Sequence, residues 1–111
     1  MEFSIRQVGG VAVLDLAGKI TAGFGDGKLR EAVGKALEEG HPRILLNLEK
    51  VPYMDSAGLG ALVACHVSAK NAGSVIKLLN PLKRVYDLLH IVKLDSVFEC
   101  FHDEGEAVAS F

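Results

Sequence analysis

Ile44-Leu45-Leu46-Asn47-Leu48 leads through Val51-Pro52-Tyr53-Met54 into Asp55-Ser56-Ala57-Gly58-Leu59-Gly60-Ala61-Leu62. The first run is nearly continuous in apolar residues, the pattern of a strand covered on both faces. The last opens on an acid and a hydroxyl, the residue types that cap free N–H groups at a helix start. A helix is predicted from there to about Asn71. A buried strand feeding a helix through a short loop is the unit of a parallel sheet with crossover helices.

The same alternation extends in both directions. Residues 3–8 and 11–16 are two β-rich runs split by Gly9-Gly10, which fits a two-residue hairpin because both turn positions can take φ > 0. Ala12, Leu14 and Leu16 share one face, and Asp15 marks the other as at least partly solvated. Leu29, Ala32, Val33, Ala36 and Leu37 form the stripe of an amphipathic helix, with Asp26 as its N-cap and Gly40-x-Pro42 as its end. Residues 75–79 read as a strand. Asn80-Pro81 then supplies an N-cap and an N1 proline for a helix whose stripe is Leu82, Val85, Leu89 and Val92. A short strand over residues 97–100 and a terminal helix begun by Asp103 and Glu106 complete the chain. The reading is one α/β domain over residues 1–111: a mostly parallel mixed sheet with an N-terminal antiparallel hairpin and about four helices.

Composition agrees with a single folded domain. Of 111 residues half are hydrophobic and 23% charged, outside the disordered range. With 12 basic and 14 acidic residues the net charge is −2, so nothing points to nucleic acid or an anionic membrane. Cys65 and Cys100 lack metal spacing, and the four histidines show no i, i+4 pair, so no metal and no cofactor is expected. The start lacks the basic n-region and apolar run of a signal peptide, and a cytoplasmic setting is expected. Gly23-Phe24-Gly25-Asp26-Gly27-Lys28 invites a phosphate-loop reading. It fails because Ala22 holds the first glycine position and Leu29 replaces the Mg²⁺-binding hydroxyl.

The segment from Asp55 stands out for function. Gly58 and Gly60 each weaken a helix by about 1 kcal/mol relative to alanine. No charge occurs from Ser56 to Ala69, although a surface helix normally has a charged outer face. A hydroxyl at a helix N-terminus is also well placed for a phosphate. The bland alternative is that Asp55 or Ser56 is only a cap.

Asp55-Ser56-Ala57-Gly58-Leu59-Gly60, with its preceding strand and loop, resembles the signature of the STAS domain. More narrowly it is similar to the bacterial anti-sigma factor antagonists, and the likeness covers essentially the whole chain. The resemblance implies that Ser56 is phosphorylated by an anti-sigma factor that is also a serine kinase of the GHKL type. It implies further that the unphosphorylated form binds this kinase and frees the sigma factor, and that a PP2C-type phosphatase resets the switch. The expected partner surface is Asp55, Ser56, Ala57, Gly58 and Gly60, with Leu59 or Leu62 as apolar contact and Thr21 from a neighbouring loop. Many relatives carry an acidic residue after the glycine ending the second strand. This chain has Gly18-Lys19-Ile20-Thr21, where Thr21 replaces a hydrogen bond but not the charge. A non-enzymatic phospho-switch, monomeric when free, is thus the expectation. A STAS component coupled to a lipid, nucleotide or transporter is the first rival. The weaker rival is a small hydrolase using Ser56 with Asp55 or His66.

Overall fold

Gly9 and Gly10 have φ of 55° and 79°, the paired positive values of a type I′ turn. They fold β1 (Glu2–Val8) onto β2 (Val11–Ala17) in an unbroken antiparallel ladder from Val8↔Val11 to Glu2↔Ala17. The computed structural model describes all 111 residues. Beyond β2 the chain alternates: α1 (Asp26–Glu38), β3 (Arg43–Lys50), α2 (Ser56–Asn71), β4 (Val75–Leu79), α3 (Lys83–Ile91), β5 (Cys100–Phe101) and α4 (Glu104–Ala109). The strands lie in chain order in one five-stranded sheet, with β2 to β5 parallel. This is the α/β architecture that the sequence predicts. Each right-handed crossover advances one strand in the same direction, so α1, α2 and α3 cover one face.

β3 is buried on both sides, as its apolar run requires. Ile44, Leu46 and Leu48 enter the main core with residues of α1, α2 and α3. Leu45 joins Val11, Val13 and Leu79 on the opposite face, which Ala107 of α4 closes. Asn47 sits among them and donates to Asp15 Oδ1 at 2.8 Å. Asp15 is half-buried while Val11 and Val13 are fully covered, so the partly solvated face begins only beyond the reach of α4.

A six-residue helix has almost no stability of its own. α4 is held at both ends by side chains from the sheet. At its start Asp103 accepts from the Glu106 N–H at 2.9 Å. Arg6 of β1 bridges Glu104 and Asp15, with Nε 2.6 Å from Asp15 Oδ2. That contact, followed by the Asn47 hydrogen bond, holds the Asp15 carboxyl below the usual carboxylate range despite partial burial. At the far end Lys77, only 8% exposed, donates to the Ser110 carbonyl at 2.9 Å and to its hydroxyl at 3.0 Å. Its ammonium also lies 4.8 Å from the centre of the Phe111 ring.

Three boundaries differ from expectation. The α1 cap is Gly25, not Asp26: its φ is 94°, and a Cβ there would meet the Lys19 carbonyl oxygen at 2.2 Å. Only glycine fits. Asp26 is the first helical residue, and its Oδ1 accepts from the next amide at 2.9 Å. α3 starts at Lys83 rather than Pro81, because the Asn80 N–H continues the sheet to the Phe101 carbonyl at 2.7 Å and Asn80 turns left-handed at φ 51°. Pro81 is buried, while Leu82 and Val92 fall outside the stripe and are exposed. β5 is shorter and later than residues 97–100, since a 3₁₀ turn (Leu94–Ser96) drives Phe98 into the core against the edge of His66. No helix is long and apolar enough to cross a membrane.

Lys77→Met keeps the apolar stem but removes the charge-assisted bonds to Ser110, a loss of about 1–3 kcal/mol. Amide exchange in α4 should accelerate markedly while α1 and α2 change little, as measured by exchange-detected NMR.

Candidate functional site

The parallel strands end together, so α1, α2 and α3 all begin at one end of the sheet, where ligands and partners of open α/β folds commonly bind. Two loops meet there. Ile20 of the β2–α1 loop bridges to Met54, its N–H donating to the Tyr53 carbonyl at 3.1 Å. The Asp55 N–H returns to the Ile20 carbonyl at 3.4 Å. Asp55 is the N-cap of α2, and its two oxygens divide the work. Oδ1 accepts from the Gly58 N–H at 2.9 Å, and Oδ2 accepts from the Ala22 N–H at 3.1 Å. The Gly58 and Ala22 amides hold this carboxyl below its ordinary value.

Ser56 is the first residue of α2 and is exposed, and the cap bond belongs to Asp55 alone. Of the two candidate caps in the sequence, Asp55 is the one the helix uses. Gly58 has a structural duty: a Cβ would meet the Ile20 carbonyl oxygen at 2.1 Å and Met54 Cγ at 2.5 Å. Gly60 is different, exposed and with open space around it. Ala57 is half-buried beside Ser56. Leu59 (8% exposed) and Leu62 (0%) belong to the core, so neither is the outward apolar contact expected of them. They occupy the inner side because α2 packs flat on the sheet through them.

The outer face of α2 instead carries Ser56, Gly60, Val63 and Val67, spaced as one helical stripe, with Val67 50% exposed. Val63 and Val67 escaped the sequence reading. The first three turns of α2 are small or apolar on every side, so periodicity there does not separate inside from outside; the missing charge is the usable signal. Thr21 is half-buried in a tight turn, exchanging backbone bonds with Phe24 at 2.7 and 2.9 Å. That turn lifts Phe24 to 55% exposure on the rim of a cleft of about 470 Å³, lined also by Gly18, Lys19 and Pro52. Tyr53 is exposed on the loop leading to Asp55.

His66 lies on the same helix as Ser56, ten residues on, an axial separation of about 15 Å. The pair cannot act as base and nucleophile. Asp55 is committed to two amides. Burial pushes the Cys65 thiol up to about 11, which keeps it a neutral core residue.

The family model of the STAS domain matches residues 2–107. The chain belongs to the STAS domain family. A Thermotoga neapolitana relative, assigned as an anti-sigma factor antagonist homologue, is 33% identical over 72 residues. The match takes in 65% of this STAS domain and 64% of that relative, so the chain spans just under two thirds of its length. Among solved structures, a Thermotoga maritima protein assigned as an anti-sigma factor antagonist superposes with a TM-score of 0.87 at 24% identity, over 97% of this chain and 92% of that one. The phosphorylated form of the Bacillus cell-fate determinant SpoIIAA gives 0.72 at 21% identity, over 98% of both chains. At these identities the structures show a shared fold.

Two measurements test the site. Gly58→Ala should destabilise this STAS domain by about 1–3 kcal/mol, because the obstructing atom is backbone, whereas Gly60→Ala should stabilise by up to about 1 kcal/mol. Chemical denaturation of both variants checks the contrast. The depressed Asp55 value means its contribution is present above the unfolded carboxylate range and is lost as pH falls through the folded midpoint. The Ala22 and Gly58 amide shifts should therefore titrate together in NMR with a midpoint below 3.8.

Proposed function

We propose that this STAS domain is an anti-sigma factor antagonist: a bacterial, cytoplasmic, non-enzymatic phospho-switch whose modified residue is Ser56. The observation that carries the reading is an exposed hydroxyl at the head of a helix whose outer face has no charge before Lys70 in its last turn but exposes Val63 and Val67. Such a surface suits a protein partner, which can close over small and apolar side chains without burying an ion. The similarity to the Thermotoga neapolitana relative supports the same role.

In this reading the unmodified form binds an anti-sigma factor that is also a GHKL-type serine kinase, and the sigma factor is released. The contact comprises Ser56, Ala57 and Gly60, extended by Val63 and by Thr21 with its neighbour Phe24. Asp55, Gly58, Leu59 and Leu62 act from behind by fixing the helix. Transfer of a phosphoryl group to Ser56 Oγ adds about −1.5 to −2 charges where the partner must exclude water, and binding is lost. Asp55 lies next in the chain, so the phosphate adds to an existing negative charge that the docked partner would also have to tolerate. A PP2C-type phosphatase restores the hydroxyl.

Calorimetry against the anti-sigma factor tests this with wild type, Ser56→Ala and Ser56→Asp. Ser56→Ala should bind as wild type, resist phosphorylation, and shift stability by no more than about 0.5 kcal/mol, because Asp55 supplies the cap. Ser56→Asp should lose affinity by about 100-fold or more. Equal affinity across the series rejects the switch, and binding of a lipid, nucleotide or transporter segment in its place favours a ligand-coupled STAS component.

A further inference from the structure

We propose that β1 is a homotypic pairing edge, through which two copies of this chain join antiparallel about a two-fold axis at Ser4. The hairpin register carries the inference. The closing pair of a two-residue turn, Val8 and Val11, exchanges both of its hydrogen bonds, so the even-numbered residues of β1 bond to β2. The N–H and C=O groups of Phe3, Ile5 and Gln7 therefore point away from the sheet. Sheet edges are usually blunted by brevity, lysine, proline, a bulge or a covering element. The opposite edge, β5, is only two residues long. β1 has seven residues, no lysine, no proline and an unbroken register with β2. An open cleft of about 560 Å³ runs along it, lined by Phe3 to Gln7 and bounded by Lys35, Glu39 and His41 of the α1 end. Lys35 and Glu39 have opposite charge, so the cleft carries no single-sign field to repel a copy.

The occupant follows from complementarity within the strand. Pairing about Ser4 uses the outward groups of Phe3 and Ile5, sets Phe3 opposite the second copy's Ile5, and does so twice. On the other face Glu2 stands opposite the second copy's Arg6, again twice, and the two Ser4 side chains meet on the axis. Glu2 makes no ion pair within the chain and is free to join the second copy's Arg6, which it would share with Asp15 and Glu104. The product is one ten-stranded sheet from two five-stranded ones. Ser56 stays uncovered, because α2 connects β3 to β4, away from this edge. A single strand pair is a small interface, so the dimer belongs to the weak class and is populated at roughly 0.1–1 mM, with monomer below. The monomer expected from the sequence is the dilute form.

Sedimentation equilibrium and concentration-dependent amide exchange test this without reference to sigma factors or phosphorylation. Wild type should associate over that range, with the Phe3 and Ile5 amides gaining protection as concentration rises. Ser4→Arg places two cations on the axis and should weaken association at least ~10-fold, and Ser4→Glu should do the same with two anions. Ser4 is exposed, so both variants should fold as monomers. Mixing them should restore pairing to at least the wild-type level. A wild type that stays monomeric to ~1 mM, association indifferent to Ser4→Arg, or a mixture no better than its components would each overturn the proposal.

Discussion

The approach of Gly58 to the Ile20 carbonyl is the constraint around which the functional end of the molecule is arranged. A backbone oxygen 2.1 Å from where a Cβ would stand leaves room for hydrogen alone. With that contact made, the first turn of α2 lies against the β2–α1 loop, and the Asp55 carboxylate reaches the amides of both. One glycine and one acid thus join segments more than thirty residues apart in the chain. Ser56 is held between them on a rigid support while its own side chain stays outside the network. A binding residue on a loop tip would have to be ordered when a partner arrives; here the ordering is already present in the fold.

The two faces of the sheet show two different economies of packing. The front is a thick layer in which α1, α2 and α3 share an apolar core with β2, β3 and β4. The back is a small cluster under a six-residue helix, and polar contacts do what area cannot. Arg6 and Lys77 attach α4 at its two ends, Arg6 from the exposed rim through Glu104 and Lys77 from a buried position through Ser110. Asp15 and Asn47 finish the row where α4 no longer reaches.

Much of the fold was legible in the residues, for identifiable reasons. Gly9-Gly10, the β3 run and the Asp55 cap are local signals, and the structure keeps each of them. The misread boundaries all involve a tertiary contact that overrides a local preference. Asn80 is a good cap in isolation, but where its N–H meets Phe101 its backbone is left-handed at φ 51°, outside the extended conformation of a cap. Asp26 is a good cap as well, yet the crowding beside Lys19 admits only Gly25 one position earlier. At the site, the segment after Asp55 was visible as unusual because it combines glycines with an absence of charge from Ser56 to Ala69. Which of its residues face outward was not visible, since turns made only of small and apolar residues have no periodicity to read. Gly58 and Gly60 are identical letters with opposite surroundings, and only coordinates separate them.

Strand order along the sheet equals strand order along the chain. During synthesis each strand emerges next to the partner it will pair with, so the sheet and its front helices can assemble progressively from the N-terminal side. α4 is the exception, since Arg6 must wait for Glu104, 98 residues later. Until α4 has emerged and docked, Val11, Val13, Leu45 and Leu79 form an uncovered apolar strip on an otherwise assembled sheet. The moment of greatest exposure to chaperones and to misassembly is therefore late, and it concerns the back of the molecule rather than the face that carries Ser56.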